Sequence, residues 1–295
     1  MNTQHRAKKS LGQNFLTDPS LQQRIVDAAD FSEGDVVIEI GPGQGALTHR
    51  IAGHVKRLIL VELDDALYAA LAAQYDGRTD VTVIHADILD VDICAIVRSA
   101  ARDGGDGGDG ETNAFKVIGN IPYNITTPII FKLLEARCRP SSIVLMVQRE
   151  LAERVVSPPG NKTYGALSVG VQALSDVSKL FHVPRGAFRP VPNVDSAVMR
   201  IVPHEPRRLG EPEENDLRSL TRTCFGWRRK QLQKILRAAP AYALTSEQVL
   251  DLQNVTGIAM DARPEMLAPL QFVALARALR AIDVPANAGT DTEWE

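Results

Sequence analysis

Apolar positions along this chain follow two rhythms. Up to about residue 203, short apolar runs alternate with amphipathic stretches. The runs at residues 35–40, 57–61, 81–84, 115–119 and 143–147 are rich in β-branched side chains and almost unbroken, as strands buried on both faces should be. Between them, Asp18 and Pro19 form a helix-start signal, and the helix they open carries Leu21, Ile25 and Ala28 or Ala29 on one side. Further helices are predicted over residues 46–53 and 150–156, with a loop at 157–162. Two more strands, 177–183 and 197–202, flank Phe188-Arg189-Pro190-Val191-Pro192-Asn193.

From about residue 204 the pattern becomes wholly helical. Thr245 and Gln248 make a capping box, and Leu267, Leu270, Val273 and Leu279 continue a helical stripe. These rhythms predict an α/β domain over residues 1–203 and a smaller all-helical domain over 204–285, with the Pro- and charge-rich stretch 204–214 as the boundary. Residues 286–295 read as a disordered acidic tail, and the Gly/Asp-rich insert at 103–110 as a flexible surface loop without chemistry.

Composition changes this picture little; charge distribution changes it more. With 44% hydrophobic and 23% charged residues, the chain has the make-up of a soluble globular protein. Its net charge of -3 points to no polyanionic partner, but cations are concentrated locally. Between residues 217 and 237 stand Arg218, Arg222, Arg228, Arg229, Lys230, Lys234 and Arg237 without one acid. Arg6, Lys8 and Lys9 lie in an equally acid-free leader. Such stretches suit either a solvated helix face or a nucleic-acid surface. The three cysteines form no metal-ligand spacing, so neither a disulfide scaffold nor a zinc site is expected, and a reducing, cytoplasmic setting is the simplest inference. No apolar stretch is long enough to span a membrane.

The candidate chemistry falls at strand ends, where open α/β sheets bind ligands. Gly41-Pro42-Gly43-Gln44-Gly45 follows the first strand, and Glu62 ends the next, 21 positions after Gly41, where a carboxylate can accept both hydroxyls of a ribose. Asp87 follows the third strand, and Asn120-Ile121-Pro122-Tyr123 the fourth. A dinucleotide fingerprint would place its third glycine one residue later, with a helix amino terminus aimed at a pyrophosphate. S-adenosylmethionine has no phosphate and needs close backbone approach instead. Glu62 on the ribose and Asp87 near the adenine amine would complete a site for it. The tetrapeptide on its own is equally a loop turned by Pro122. Beside the other strand ends, it supplies an amide, a stiffened carbonyl and an aromatic face for the exocyclic amine of a flat base.

Leu11 to Leu16, Glu39 to Thr48, Val61 to Asp64, His85 to Asp90 and Asn120 to Pro128 together closely resemble the bacterial small-subunit ribosomal RNA adenine N6,N6-dimethyltransferases. Phe188 to Val198, Phe225 to Leu232 and Arg263-Pro264-Glu265 carry the resemblance through the second half of the chain. It implies a Rossmann-like class I methyltransferase fold, with a mostly parallel seven-stranded sheet and a smaller all-helical C-terminal domain. It also implies dimethylation of N6 on two adjacent adenosines near the 3′ end of 16S rRNA, in an immature 30S particle, by a cytoplasmic, monomeric enzyme. Carried over by motif, Asn14, Leu16, Gly41, Glu62, Asp87 and Asn120 would bind S-adenosylmethionine. Asn120 and the Pro122 carbonyl would accept the two N–H bonds of the adenine amine, while Tyr123 and Phe188 would stack on either face of the base. Arg222, Arg228, Arg229, Lys230 and Lys234 form the expected RNA surface. His85 is read as structural, and no metal is expected. The alternatives are a large-subunit adenine methyltransferase of the macrolide-resistance type and a non-catalytic ribosome assembly factor that keeps the fold.

Overall fold

The computed structural model describes residue 8, residues 12–102 and residues 114–282. The 103–110 insert and the 286–295 tail lie outside the described residues.

The leader enters as a short strand, β1 (Phe15–Leu16), and is followed by α1 (Pro19–Ala29). Asp18 caps α1 as expected, its side chain accepting from the Ser20 and Leu21 amides. Then come β2 (Val36–Ile40), α2 (Thr48–Ile51), β3 (Arg57–Glu62), α3 (Asp65–Gln74), β4 (Val81–His85), α4 (Ile93–Arg102) and β5 (Phe115–Asn120). A 3-10 turn (Tyr123–Ile125) leads into α5 (Thr126–Glu135), β6 (Ser142–Gln148) and α6 (Arg149–Val155). The rest comprises α7 (Ala166–Leu174), β7 (Ser175–Val183), β8 (Phe188–Arg189), β9 (Ser196–Pro203), α8 (Glu211–Gly226), α9 (Leu232–Ala238), α10 (Ser246–Thr256) and α11 (Pro269–Ala281).

Seven strands form one sheet in the order β4-β3-β2-β5-β6-β9-β7. The pairs from β4 across to β6 are parallel, and β6 with β9 is antiparallel. Every residue of β2 is buried, which explains an apolar run broken only by Glu39. After β2 the chain fills one side of the sheet with β3 and β4, then crosses to the other with β5 and β6. The carboxyl ends of β2 and β5 therefore flank the topological switch point, where a crevice opens. Register aligns the rim, pairing Ile40 with Gly119, Glu62 with His85, and Asn120 with Met146. Because β9 runs antiparallel, it is its first residue, Ser196, that reaches this rim, opposite Gln148.

The chain divides into two compact units, Met1–Ala152 with Val177–Pro203, and Glu153–Asp176 with His204–Glu295. The expected boundary at residues 203/204 thus meets a more interleaved division. Residues 153–176 group with the helical unit because α7 packs on α8 and α11. Within that unit, Tyr164 is fully buried, donates its hydroxyl to the Leu267 carbonyl and meets Phe225 edge-on. Thr245 and Gln248 form the expected capping box at the start of α10.

Cys94 on α4 and Cys138, just beyond α5, form a disulfide with Cα atoms 5.3 Å apart. The cysteine spacing predicts no disulfide scaffold; this single bridge joins residues 44 apart in sequence that only the fold brings together. Cys224 is free and buried. No helix among the described residues is long and apolar enough to cross a membrane.

Candidate active site

A cavity of about 490 Å³ lies at the switch point, and every lining residue belongs to the unit that holds the sheet. Asn14, Leu16, Gly41, Glu62, Asp87, Asn120, Pro122 and Tyr123, singled out in sequence, all line it. The volume is that of an ordinary small-molecule site.

The glycine turn shapes one wall. Gly43 sits at φ +60°, and a Cβ there would come within 3.3 Å of the Phe15 ring, so a larger residue would be strained and crowded at once. Its amide donates to Glu62 Oε2 at 2.9 Å, while the Asp64 amide donates to Oε1 at 2.9 Å. Two backbone donors thus hold the Glu62 carboxylate in one orientation, and each oxygen keeps a lone pair for a hydroxyl. Asp87 is held similarly, with Oδ1 accepting from the Leu89 amide at 2.9 Å.

Behind the turn, Glu39 is 2% exposed and accepts from the Thr48 hydroxyl at 2.7 Å. Burial pushes its carboxyl up to about 8, with the Glu62 charge adding and the Thr48 hydrogen bond opposing. The sequence signal for this buried carboxyl is an acid inside the apolar run Val36-Val37-Ile38-Glu39-Ile40.

The lining contains carboxyls but, among the described residues, no lysine or arginine. Such a wall favours a cation and offers nothing to a pyrophosphate. It therefore fits the sulfonium, ribose and adenine of S-adenosylmethionine and disfavours a dinucleotide. Among the described residues, no cluster of His, Cys, Asp or Glu could hold a metal.

At the β5 end, Asn120 Nδ2 donates to the Asn14 carbonyl at 3.1 Å. Tyr123 is half-buried, and its hydroxyl shares a 2.9 Å hydrogen bond with Ser196, which is fully buried. Asp195 steadies the approach to Ser196 by accepting from the Arg185 amide at 3.0 Å and pairing with His182 at 3.1 Å. Burial raises the Tyr123 phenol, so the ring stays neutral.

Two expected roles need correction. The Pro122 carbonyl already accepts from the Ile125 amide at 3.2 Å and the Thr126 hydroxyl at 3.2 Å, so the 3-10 turn occupies both its lone pairs. The neighbouring Ile121 carbonyl accepts no hydrogen bond among the described residues. Ile121 lines the cavity although it is only 1% exposed. Phe188, expected over one face of a base, is likewise 1% exposed and belongs to the apolar core cluster with Leu16, Ile25 and Met146. Pairing of Leu16 with Phe188 in the β1–β8 ribbon holds that segment inward, and the ring is not part of the cavity wall. His85 stacks on Tyr68 with centroids 4.7 Å apart and pairs with Asp65 at 3.0 Å, as a structural residue would.

The expected RNA surface lies in the helical unit, at the α8–α9 turn. Arg229, Lys230 and Lys234 are exposed, and Arg222 is partly buried. Arg228 is engaged: Nε binds Glu265 at 2.7 Å and Nη2 donates to the Asn161 carbonyl at 3.2 Å. Its charge is neutralised locally, and it ties the 157–163 loop to Glu265.

The family description "Ribosomal RNA adenine dimethylase" matches residues 4–280. A protein of Geobacter metallireducens named Ribosomal RNA small subunit methyltransferase A is 40% identical over 277 residues, covering 94% of this chain and 97% of its own. One of the same name from Levilactobacillus brevis is 41% identical, covering 92% and 90%. Among solved structures, a dimethyladenosine transferase from Plasmodium falciparum superposes with a TM-score of 0.72 at 24% identity, covering 92% of this chain and 98% of its own. The 23S rRNA methyltransferase ErmE superposes with a TM-score of 0.65 at 26% identity, covering 90% and 100%. With its parallel sheet, its acid-lined cavity and a match along nearly its whole length, the chain belongs to the ribosomal RNA adenine dimethylase family.

Proposed function

We propose that this protein methylates N6 of two adjacent adenosines near the 3′ end of small-subunit (16S) rRNA, yielding N6,N6-dimethyladenosine in an immature 30S particle. The observation that carries this reading is the Asn120–Asn14 hydrogen bond. It uses the amide's donor end on the protein and leaves Oδ1 as an acceptor at the rim of a cavity suited to a cation.

Bound S-adenosylmethionine supplies an electrophilic methyl group on a positively charged sulfur. Glu62 would hold its ribose hydroxyls and Asp87 its adenine amine, with Asn14, Leu16 and Gly41 completing the wall. The target amine is a weak nucleophile because its lone pair is delocalised into the ring. Asn120 Oδ1 and the Ile121 carbonyl accept its two N–H bonds, drawing N6 towards a tetrahedral shape and aiming its lone pair across the cavity. Tyr123, anchored by Ser196, stacks on the base. Positioning supplies most of the acceleration, so no strong general base is required, and the displaced proton leaves to solvent.

Arg229, Lys230 and Lys234, with Arg222, would neutralise RNA phosphates, and Arg228 would hold the shape of the turn that presents them. We expect the enzyme to act as a monomer. For such a substrate we expect a cytoplasmic enzyme. The test is transfer of labelled methyl groups to unmethylated small subunits, with large subunits as control. Label in small subunits alone is expected. Label in large subunits would favour the macrolide-resistance type, and label in neither would favour an assembly factor.

A further inference from the structure

We propose that Gln13 and Asp64 form a latch that positions Asn120 for methyl transfer, by pinning the leader so that the Asn14 carbonyl stays against the Asn120 amide. The latch deepens the reading above and rests on it.

The leader reaches both ends of the cavity. At the β5 end, Asn14 accepts from Asn120, and Gly12 lies close enough that a Cβ would meet Asn124 Oδ1 at 3.5 Å and Pro122 Cβ at 3.6 Å. At the β3 end, Gln13 Nε2 donates to Asp64 Oδ2 at 3.1 Å. Lys8 Nζ reaches the same oxygen at 2.9 Å, and the Lys8 amide donates to Gln13 Oε1 at 2.8 Å. Asn14 further ties the leader to itself by donating Nδ2 to the Gly12 carbonyl at 3.0 Å. Just downstream, the β1–β8 ribbon and the Thr17 amide, bonded to the Ala187 carbonyl at 2.8 Å, fix the chain again. Asn14 is therefore suspended between two anchors: downstream the ribbon, the Thr17 hydroxyl on the Ala187 carbonyl and the Gln22 side chain on the Leu16 carbonyl, and upstream the Gln13 side chain on Asp64.

Asp64 suits this task because nothing about it is loose. Its side chain is 0% exposed. Oδ1 caps α3, accepting from the Ala66 and Leu67 amides at 3.0 and 3.2 Å, which leaves Oδ2 for the leader. Its own amide holds Glu62 Oε1. One residue thus touches the ribose carboxylate through its backbone and the leader through its side chain. Lys8 is 44% exposed, so solvent screens its pairing, and Gln13 carries the latch. Displacing a positioning group by about 1 Å can cost roughly 100-fold in rate. A leader freed at Gln13 would let the Asn14 carbonyl drift on that scale.

The bland alternative is that Gln13 only helps to close the cofactor site. The two differ in which kinetic constant moves. Methyl transfer to unmethylated small subunits would be measured for wild type, Gln13→Ala, Gln13→Glu, Asp64→Asn and the Gln13→Glu/Asp64→Asn pair, with melting temperatures and S-adenosylhomocysteine affinities alongside. Gln13→Ala should lower kcat by about tenfold or more at saturating cofactor while the melting temperature stays close to wild type. Gln13→Glu places two carboxylates together and should be worse. The paired exchange restores one donor and one acceptor with their roles reversed, and should recover most of the rate. An unchanged kcat in Gln13→Ala, with only the cofactor KM raised, would overturn the latch, as would a paired variant no better than Gln13→Glu. Wild-type transfer in the same experiment tests the proposed function separately, since an active wild type with a full-rate Gln13→Ala sinks the latch alone.

Discussion

The side-chain amide of Asn120 donates to the main-chain carbonyl of Asn14 across 106 residues of sequence. A carbonyl can only accept, so this contact decides which end of the Asn120 amide is left for a ligand. The Asn120 amide at the end of β5 therefore takes its orientation from the leader. The hydroxyl of Tyr123 takes its own from Ser196 in the same way.

That second anchor sets the expected order of Tyr123 variants. Tyr123→Phe keeps the stacking face and loses the tether, so it should retain activity within about tenfold of wild type, and Ser196→Ala should match it. Tyr123→Ala removes the face and should cost at least about another tenfold, on the scale of aromatic–base stacking. Single-turnover rates on unmethylated small subunits would check this. Equal losses in Phe and Ala variants would mean that the hydroxyl, and not the ring, matters.

Glu39 should make stability fall as pH rises. The unfolded chain releases this proton near 4.5, whereas the folded one holds it to about 8. Between those values the native state binds the extra proton, so stability declines across the window and levels off above it. Melting temperature should drop on the order of 5 °C between pH 5 and pH 8 from this group. Thermal melts of Glu39→Gln should show a flatter profile; one as steep as wild type would assign the slope elsewhere.

Changing Arg229, Lys230 and Lys234 to Glu should weaken binding to small subunits and flatten its salt dependence, each lost phosphate contact lowering the log–log slope by roughly 0.7 to 0.9. Arg228→Ala should act differently, because its partner is Glu265. It should lower the melting temperature of the helical unit and change the slope little. Filter binding across a salt series would separate the two, and an unchanged slope in the triple variant would remove this turn from the RNA surface.

Cys224 should resist alkylation in the folded protein, since burial pushes its thiol up to about 12. Cys94 and Cys138 should label only after reduction when the protein is handled oxidised. Protein kept under reducing, anaerobic conditions should instead present them as two thiols. Mass spectrometry with differential alkylation reads both states. Labelling of folded Cys224 would contradict the buried placement.

Much of the site was readable because its residues stand at the ends of unambiguous strands. Glu62, Asp87 and Asn120 each close or follow an apolar run, and a parallel sheet brings such ends to one rim. What escaped depends on pairings that leave no periodic trace. Phe15–Leu16 and Phe188–Arg189 are too short to show alternation, and each is a strand only because the other lies beside it. The inward turn of Phe188 follows from that ribbon. The 3-10 turn captures the Pro122 carbonyl and spares that of Ile121, a choice made by backbone angles and not by residue type. The helical unit recruits α7 from inside the run of strands, where Ala166 to Leu174 is apolar enough to pass unremarked. Asp64 stands in sequence only as the end of the Val61 to Asp64 motif; its cap of α3 and its partner Gln13, 51 residues away, are set by the fold.

The most direct test compares wild type with Asn120→Ala by mass spectrometry of the nucleosides in small-subunit RNA after reaction. Wild type should yield N6,N6-dimethyladenosine at the two adjacent adenosines. The variant should lose about 100-fold or more in rate while binding the particles with unchanged affinity. Methyl groups on ribose or on ring carbon, or full dimethylation by Asn120→Ala, would contradict a site built to present an adenine amine.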